Sequence, residues 1–245
     1  MGKGKTRKSY SEVDSTEIAE YGAHLARAVA DLHAIFVDGL KEAGLVSLAA
    51  EEVRLSLVLA GMERAGIVVD KPGLELLSEE FRNELSQLEQ KIFAIAGHEF
   101  NVGSPKQLAT VLFEEMGLPI IKRTKTGYST NAEVLERLAQ DHEIARLLLD
   151  YRKFEKLITT YVDVLLREVD EEDGRVHCQF NQTASTTGRL ITSDPDLQRT
   201  PVRTDEGRRI RRLFRAPAGH QLLVADWSQV ELRILAHLCS DPVLL

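Results

Sequence analysis

This sequence of 245 residues has only two cysteines, no long apolar run and no net positive charge. The two cysteines, Cys178 and Cys239, lie far apart and form no C-x-x-C pair. We therefore expect buried free thiols in a cytoplasmic protein, and neither a disulfide nor a zinc framework. No apolar run is long enough to span a bilayer, and no apolar stretch follows the basic start MGKGKTRKSY. These absences argue against a membrane protein and against a secretory signal.

The net charge of −7 argues against a protein that simply coats DNA, but the charge is distributed unevenly. Seven arginines lie between residues 199 and 215, against only Asp205 and Glu206. Such a run is either a solvated helix face or a phosphate-binding surface, and its density favours a nucleic acid or nucleotide ligand. Gly4-Lys5-Thr6 superficially resembles a phosphate-binding loop, but the earlier glycine and the preceding strand of that motif are missing.

Apolar residues recur every three or four positions in two long stretches, which predicts an antiparallel pair of long helices. The first stripe runs from Leu74 to Ile95 and the second from Ile144 to Leu165. Two further helices are predicted before this pair. One covers 13–45 with its stop at Gly44, and the other covers 51–65 with its stop at Gly66, followed by a short extended segment at 67–70.

Between the two stripes the sequence predicts a compact tip. Ser104-Pro105 is a favoured helix start, and Gly117 would end that helix. The basic segment 122–130 is not expected to be helical, and Thr130 with Glu133 predicts a capping box for the next helix.

After Asp170 the pattern becomes that of an α+β domain. Asp173-Gly174 predicts a turn, with a strand continuing through Phe180. A second strand is predicted at 221–226, followed by a helix from Ser228 onward. The sequence therefore predicts a helical projection followed by the first elements of an α+β domain.

The second predicted strand ends in a carboxylate, Asp226. Because an isolated buried charge is costly, this group must be solvated, paired or bound to a cation. A metal ion that also holds phosphate oxygens is one solution. Ser228 and Glu231 follow with S-x-x-E spacing, which on its own favours a structural capping box.

The segment DWSQVELRILAHL resembles motif A of the family A DNA polymerases, and other segments resemble the same family in the same order. TTGRL and SDPDLQRTPVRTDEGRRIRRLFRAP resemble the lead into motif A. FNVGSPKQL and TKTGYSTNAEVLERLA resemble the thumb, and EYGAH resembles the end of a 3′–5′ exonuclease domain.

The resemblance implies an α+β fold with a mostly helical thumb that contains a long antiparallel helix pair. The first strands and the motif A helix of an incomplete antiparallel palm sheet would follow. The implied domains are 1–45, the tail of a 3′–5′ exonuclease-like domain; 46–70, a connecting helix and short strand; 71–167, the thumb; and 168–245, a partial palm.

The resemblance also implies template-directed transfer of a deoxynucleoside monophosphate from a dNTP to a primer 3′ end, with two Mg²⁺ ions. Asp226 and the carbonyl of Trp227 would hold metal. Nucleotide contacts are implied for Ser228, Gln229, Glu231 and Arg203. DNA contacts are implied for Asp196, Gln198, Arg199, Arg189, Lys122, Arg123, Lys125, Ser129, Thr130, Arg152 and Lys156. The implied partners are primer–template DNA and a dNTP, with no membrane, for a monomeric protein.

The sequence also departs from the family pattern. Leu25 stands where proofreading relatives carry a metal-binding aspartate, so we expect no proofreading in the upstream domain. Neither a fingers helix nor a second catalytic aspartate follows motif A, so we expect a fragment that does not polymerise alone. Three alternatives remain at this point: a duplex-binding module without chemistry, a half-enzyme completed by a second chain, and a non-functional gene remnant.

Overall fold

The computed structural model of the protein describes residues 12–125 and 127–243. The chain divides into two compact units, one of residues 1–62 and 182–189 and the other of residues 63–181 and 190–245. The Gly4-Lys5-Thr6 segment lies outside the described residues. None of the described helices combines the length and the apolar composition that crossing a bilayer requires.

The first unit is built mainly from two helices, α1 (Ser15–Glu42) and α2 (Val46–Ala65), the second of which continues into the other unit. Asp14 caps α1 by accepting a hydrogen bond from the backbone N–H of Thr16. Gly44, with φ of 68°, follows the end of α1 and confirms the predicted stop. In the same unit, Gln182 Nε2 donates to the Glu52 carbonyl at 3.0 Å and to the Glu52 carboxylate at 2.7 Å.

The helical part of the second unit follows β1 (Ile67–Val69). Its elements are α3 (Lys71–Ala96), α4 (Pro105–Ala109) with a π-helical continuation (Thr110–Glu115), β2 (Arg123–Thr124), β3 (Gly127–Tyr128), α5 (Ala132–Leu138), α6 (Glu143–Leu157), a π-helical segment (Ile158–Val162) and α7 (Asp163–Glu168). The remaining elements are β4 (Arg175–Val176), β5 (Gln179–Asn181), β6 (Ile191–Ser193), a 3₁₀ turn (Leu197–Arg199), α8 (Asp205–Arg211), β7 (Phe214–Arg215) and α9 (Val230–Cys239).

The two apolar stripes face each other, which confirms the predicted antiparallel pair. Near the end of α3, Ile92 shares a core with Ile144 and Leu148 at the start of α6. Near the start of α3, Phe81 shares a second core with Leu165 in α7. The two helical stretches therefore run in opposite directions. Their ends differ slightly from the prediction, since Ile95 is 38% exposed.

Three short strands join the base of the helical pair. β1 lies between β4 and β7 and pairs antiparallel with both, so that Val68 is opposite Arg175 on one side and Arg215 on the other. The predicted turn at Asp173-Gly174 is confirmed, since Gly174 has φ of 68° and its N–H bonds to the Asp170 carbonyl at 2.9 Å. The strand predicted to continue from this turn divides in two, because β4 pairs with β1 whereas β5 pairs with β6.

Two local predictions are wrong. Residues 221–226 form no strand, and Leu223 and Val224 are 92% and 82% exposed. A strand requires a neighbour to pair with, and among the described residues no strand pairs with this segment. Cys178 is buried as expected, but Cys239 is exposed because it ends α9, a helix in which only Ala236 is buried.

Of two predicted helix caps in the tip, one is confirmed and one is wrong. Ser104 does cap α4, as predicted. Asn131, and not Thr130, caps α5 by accepting from the Val134 N–H at 3.0 Å. An Asn side chain is at least as good a cap as Thr, and the chain uses the later of the two.

The C-terminal end of α2 is capped by side chains from the β4 region. His177 Nδ1 donates to the Glu63 carbonyl at 2.8 Å, and Arg175 Nη1 donates to the Ala65 carbonyl at 2.8 Å. The other ring nitrogen of His177 lies 3.1 Å from Asp173 Oδ2. Both ring nitrogens face oxygen acceptors, so only the doubly protonated ring satisfies both.

Replacing His177 by glutamine is expected to reduce the pH dependence of stability. The hydrogen bond to the Glu63 carbonyl is the main cause that raises the pKa of His177 above its ordinary 6.5, assisted by Asp173 and Asp170 and opposed by partial burial. A raised folded-state pKa contributes stability that is complete below the unfolded pKa and is lost as pH rises through the folded pKa. Thermal melts between about pH 6 and pH 8.5 should therefore show a smaller decline for His177→Gln than for the unmodified chain. His33→Gln, on the exposed surface of α1, is the control. An unchanged slope in His177→Gln would contradict the assignment.

Candidate nucleic-acid interface

The tip of the helical pair is a basic hairpin. β2 and β3 pair antiparallel, with Arg123 opposite Tyr128, and the Arg123 guanidinium lies 5.1 Å from the centre of the Tyr128 ring. Lys122 and Lys125 are exposed on the same hairpin. Lys122 also approaches Glu133 at 3.7 Å, an exposed pair that contributes little to stability. The structure thus brings together the three cations that the sequence analysis assigned to DNA phosphates.

Two other predicted contact residues of the tip face inward. Ser129 and Thr130 are only 7% and 6% exposed. Arg152 on α6 donates from Nη1 to the Thr130 carbonyl and from Nη2 to Thr130 Oγ1. Burial lowers the pKa of Arg152 from its usual value. Lys156, one turn further along α6, is exposed.

A cleft of about 860 Å³ lies between the tip hairpin and the start of α4. Its lining includes Lys106, Thr110, Tyr128, Thr130 and Arg152. Lys106 was not among the predicted contact residues. Its position directly after the Ser104-Pro105 helix start, opposite the basic segment, was the available signal.

An internal network contains Asp196, Gln198 and Arg199, for which the resemblance implied DNA contacts. The Gln198 side chain accepts from the Thr192 N–H at 3.1 Å and donates to the Leu190 carbonyl at 3.0 Å. Asp196 accepts from Thr192 Oγ1 at 3.0 Å and pairs with Arg199 at 3.0 Å. The polar groups of Gln198 and Asp196 therefore support the turn between β6 and the 3₁₀ helix in this structure.

The arginine run is only partly available to a ligand. Four of its seven members form ion pairs: Arg199 with Asp196, Arg208 with Asp205, Arg209 with Glu80 and Arg215 with Asp70. Arg203, Arg211 and Arg212 are exposed. The interpretation of the whole run as a phosphate surface is therefore too broad, because distant carboxylates on α3 and before it neutralise part of the charge.

The motif A segment is open to solvent. Asp226, Ser228, Gln229 and Glu231 are exposed, and Trp227 is 76% exposed. The helix begins at Val230, and its N-cap is Gln229, with φ of 50° and no side-chain capping bond. The expected Ser228–Glu231 capping box is therefore wrong, because Ser228 lies one position before the cap.

The described residues do not bring a complete metal-binding donor set to Asp226. No group of three or more Asp, Glu, His or Cys side chains within 12–125 and 127–243 is placed to hold a metal ion. One carboxylate and the neighbouring Trp227 carbonyl do not fit two divalent ions. Arg189 belongs to the first unit, whereas the other predicted site residues belong to the second.

The chain belongs to DNA polymerase family A, whose family model matches residues 71–245. The family is one of DNA polymerases, enzymes that in general use divalent metal ions.

Two curated relatives illustrate the match. The chain is 43% identical to DNA polymerase I of Bacillus subtilis over 247 residues, covering 100% of this chain and 28% of that protein. It is 40% identical to DNA polymerase I of Pseudomonas aeruginosa over 248 residues, again covering 100% of this chain and 27% of the relative. The chain thus spans about a quarter of the length of the curated relatives that it matches.

A solved structure supports the fold. The POL domain of Pol1 from M. smegmatis, in complex with DNA primer-template and dNTP, matches with a TM-score of 0.70 and 43% identity. The match covers 78% of this chain and 34% of that chain. The predicted α+β class with a helical thumb is therefore confirmed.

Proposed function

We propose that this chain supplies the thumb and the first part of the palm of a DNA-directed DNA polymerase. In that protein, the thumb would comprise residues 71–167 and the partial palm residues 168–245, preceded by an exonuclease-like tail at 1–45 and a connection at 46–70. The family match over residues 71–245 is the observation that carries the proposal. The M. smegmatis complex adds primer–template DNA and dNTP as the partners of a structural neighbour.

The reaction of the complete protein would be template-directed addition of a deoxynucleoside monophosphate to a primer 3′ end, in replication or repair. Two Mg²⁺ ions would supply Lewis acid chemistry, with Asp226 and the Trp227 carbonyl among their ligands. The described residues offer an incomplete donor set for these ions. Ser228, Gln229, Glu231 and Arg203 would contribute to the nucleotide site, and Arg189 would contact the minor groove.

The residues of this chain that hold DNA would be the exposed cations of the tip. Lys122, Arg123, Lys125 and Lys156 present positive charge that suits backbone phosphates, which fix register without reading sequence. Duplex binding through such contacts is independent of sequence and weakens as salt displaces the protein.

The chain by itself is expected to bind primer–template duplex but not to extend a primer. Fluorescence anisotropy should show an affinity that falls steeply between about 50 and 200 mM salt. Lys122→Gln combined with Lys125→Gln should reduce the slope of log K against log salt by roughly one unit for each lysine removed. Glu136→Gln, an exposed change on α5, is the matched control.

Two results would contradict this proposal. Salt-independent binding would remove the phosphate-contact interpretation of the tip. Clear incorporation of nucleotide by the isolated chain with Mg²⁺ and dNTPs would show that its donor set is sufficient after all.

A further inference from the structure

One arginine of the tip is oriented differently from its neighbours. Arg152 directs two of its guanidinium nitrogens to a single residue, with Nη1 donating to the Thr130 carbonyl and Nη2 donating to Thr130 Oγ1 at 3.3 Å. A planar guanidinium presents its donors as a rigid fork, and here that fork fits the two oxygens of one threonine. The acceptors are neutral, and Thr130 is 6% exposed.

Thr130 occupies the junction between two elements of the tip. It follows the end of β3 at Tyr128 by two residues and directly precedes Asn131, the N-cap of α5. The adjacent Ser129 N–H bonds to the Lys122 carbonyl at 3.0 Å and closes the base of the hairpin. A residue that fixes Thr130 therefore fixes both the returning strand of the hairpin and the first turn of α5.

The basic side chains depend on that junction for their direction. Lys122 and Arg123 lie on the strand that enters the hairpin, and Lys125 lies at its turn. A two-stranded hairpin on its own is marginally stable in water, so a link from its base to a long helix determines how it is held. Apolar packing joins Tyr128 to the same core as α6, and Arg152 adds side-chain hydrogen bonds from α6 to Thr130 at this junction.

Lys156 provides a natural contrast. It lies on the same helix four residues later, is exposed, and takes part in no ion pair found among the described residues. Its exposed ammonium group is therefore accessible to a phosphate. The Arg152 guanidinium, in contrast, is partly withdrawn from solvent and already occupied by protein oxygens.

We propose that Arg152 is a positioning residue. Its main role is to orient the basic hairpin 122–130 by clamping Thr130 to α6 through these two hydrogen bonds, and not to bind a DNA phosphate. The value of this role rests on the proposed DNA-binding function. The contact between Arg152 and Thr130 does not depend on DNA, so it can be tested without DNA.

The first experiment uses the full chain in the absence of DNA. Hydrogen exchange measured by mass spectrometry should show amides of residues 127–134 exchanging at least about tenfold faster in Arg152→Lys than in the unmodified protein, because a lysine lacks the planar fork that donates to both Thr130 oxygens. Thr130→Val, which removes only the hydroxyl acceptor, should show a smaller acceleration. Lys156→Gln is the matched control and should leave exchange unchanged.

The second experiment measures duplex binding by the same variants. Arg152→Lys keeps the positive charge but loses the planar fork of donors. If Arg152 acts as a clamp, lysine cannot replace it, and the affinity for duplex DNA should fall about as far in Arg152→Lys as in Arg152→Ala. Lys156→Gln should instead reduce the salt slope by roughly one unit. If Arg152→Ala does not fold, Arg152→Lys and Thr130→Val still decide the question.

The outcomes separate the two proposals. Normal exchange in Arg152→Lys, with binding retained, would overturn the positioning role and restore a phosphate contact. Faster exchange together with weaker binding supports it. Faster exchange in a chain that never binds duplex, even unmodified, would support the clamp while overturning the DNA-binding function that gives it a purpose.

Discussion

Replacing Phe81 by alanine is expected to lower the free energy of unfolding by about 3–5 kcal/mol, the range for removing a fully buried aromatic side chain. Phe81 is 1% exposed and lies in the core that joins the start of α3 to α7. Its ring meets that of Phe154 edge-on, with 5.4 Å between the ring centres. Truncation would therefore remove apolar burial, an aromatic pair and packing density together.

Phe81 also supports a connection between α3 and α8. The Arg209 guanidinium of α8 lies 5.7 Å from the centre of the Phe81 ring and pairs with Glu80 beside it. Losing the ring should therefore loosen α8 as well as the helical pair. Chemical denaturation followed by circular dichroism measures the effect, since the single tryptophan, Trp227, is 76% exposed and reports poorly on the core.

Leu76→Ala is the matched control for this prediction. Leu76 lies on the same helix but is 64% exposed, so its truncation should change the free energy of unfolding by less than about 0.5 kcal/mol. Equal effects at Phe81 and Leu76 would show that the face of α3 assigned to the core is the wrong one.

Gly66→Ala is expected to cost at least about 2 kcal/mol, because two penalties coincide there. Gly66 follows the end of α2 with φ of 57°, a left-handed conformation that side chains rarely adopt. A Cβ at this position would lie 2.7 Å from His177 Cε1 and 2.9 Å from the Val176 carbonyl oxygen. The strand backbone leaves that contact little room to relax.

Gly97→Ala separates the two penalties. Gly97 ends α3 with φ of 83°, but an added Cβ would meet nothing within 4 Å. It should therefore show the backbone cost alone, about 1 kcal/mol in the same denaturation experiment. If Gly66→Ala costs no more than Gly97→Ala, the close approach of His177 to the end of α2 is not a real constraint.

The helices were predictable because their signal is local and periodic. The stripe beginning at Leu74 and the partner stripe beginning at Ile144 each specify a buried face, and two such faces need each other. The Ser104 cap and the Gly44 and Gly174 conformations were likewise predictable, since each depends on one or two adjacent residues.

Errors arose where the outcome depends on residues far away in the chain, or where two adjacent residues compete for one role. The arginine run looked like a free basic surface, but Arg209 meets Glu80 and Arg215 meets Asp70, more than a hundred residues earlier. Residues 221–226 have the composition of a strand, yet composition does not supply a pairing neighbour. At Thr130 and Asn131 two adjacent residues were both competent caps, and spacing alone did not choose between them.

The side chain of Gln198 has a consequence for the outer margin of the β5–β6 sheet. Its amide takes the Leu190 carbonyl and the Thr192 N–H along the side of β6 that faces away from β5, as an additional strand would. Unpaired backbone along a sheet margin invites association with another chain and leads to aggregation. One glutamine side chain thus occupies two backbone groups that a further strand would otherwise bind at this margin.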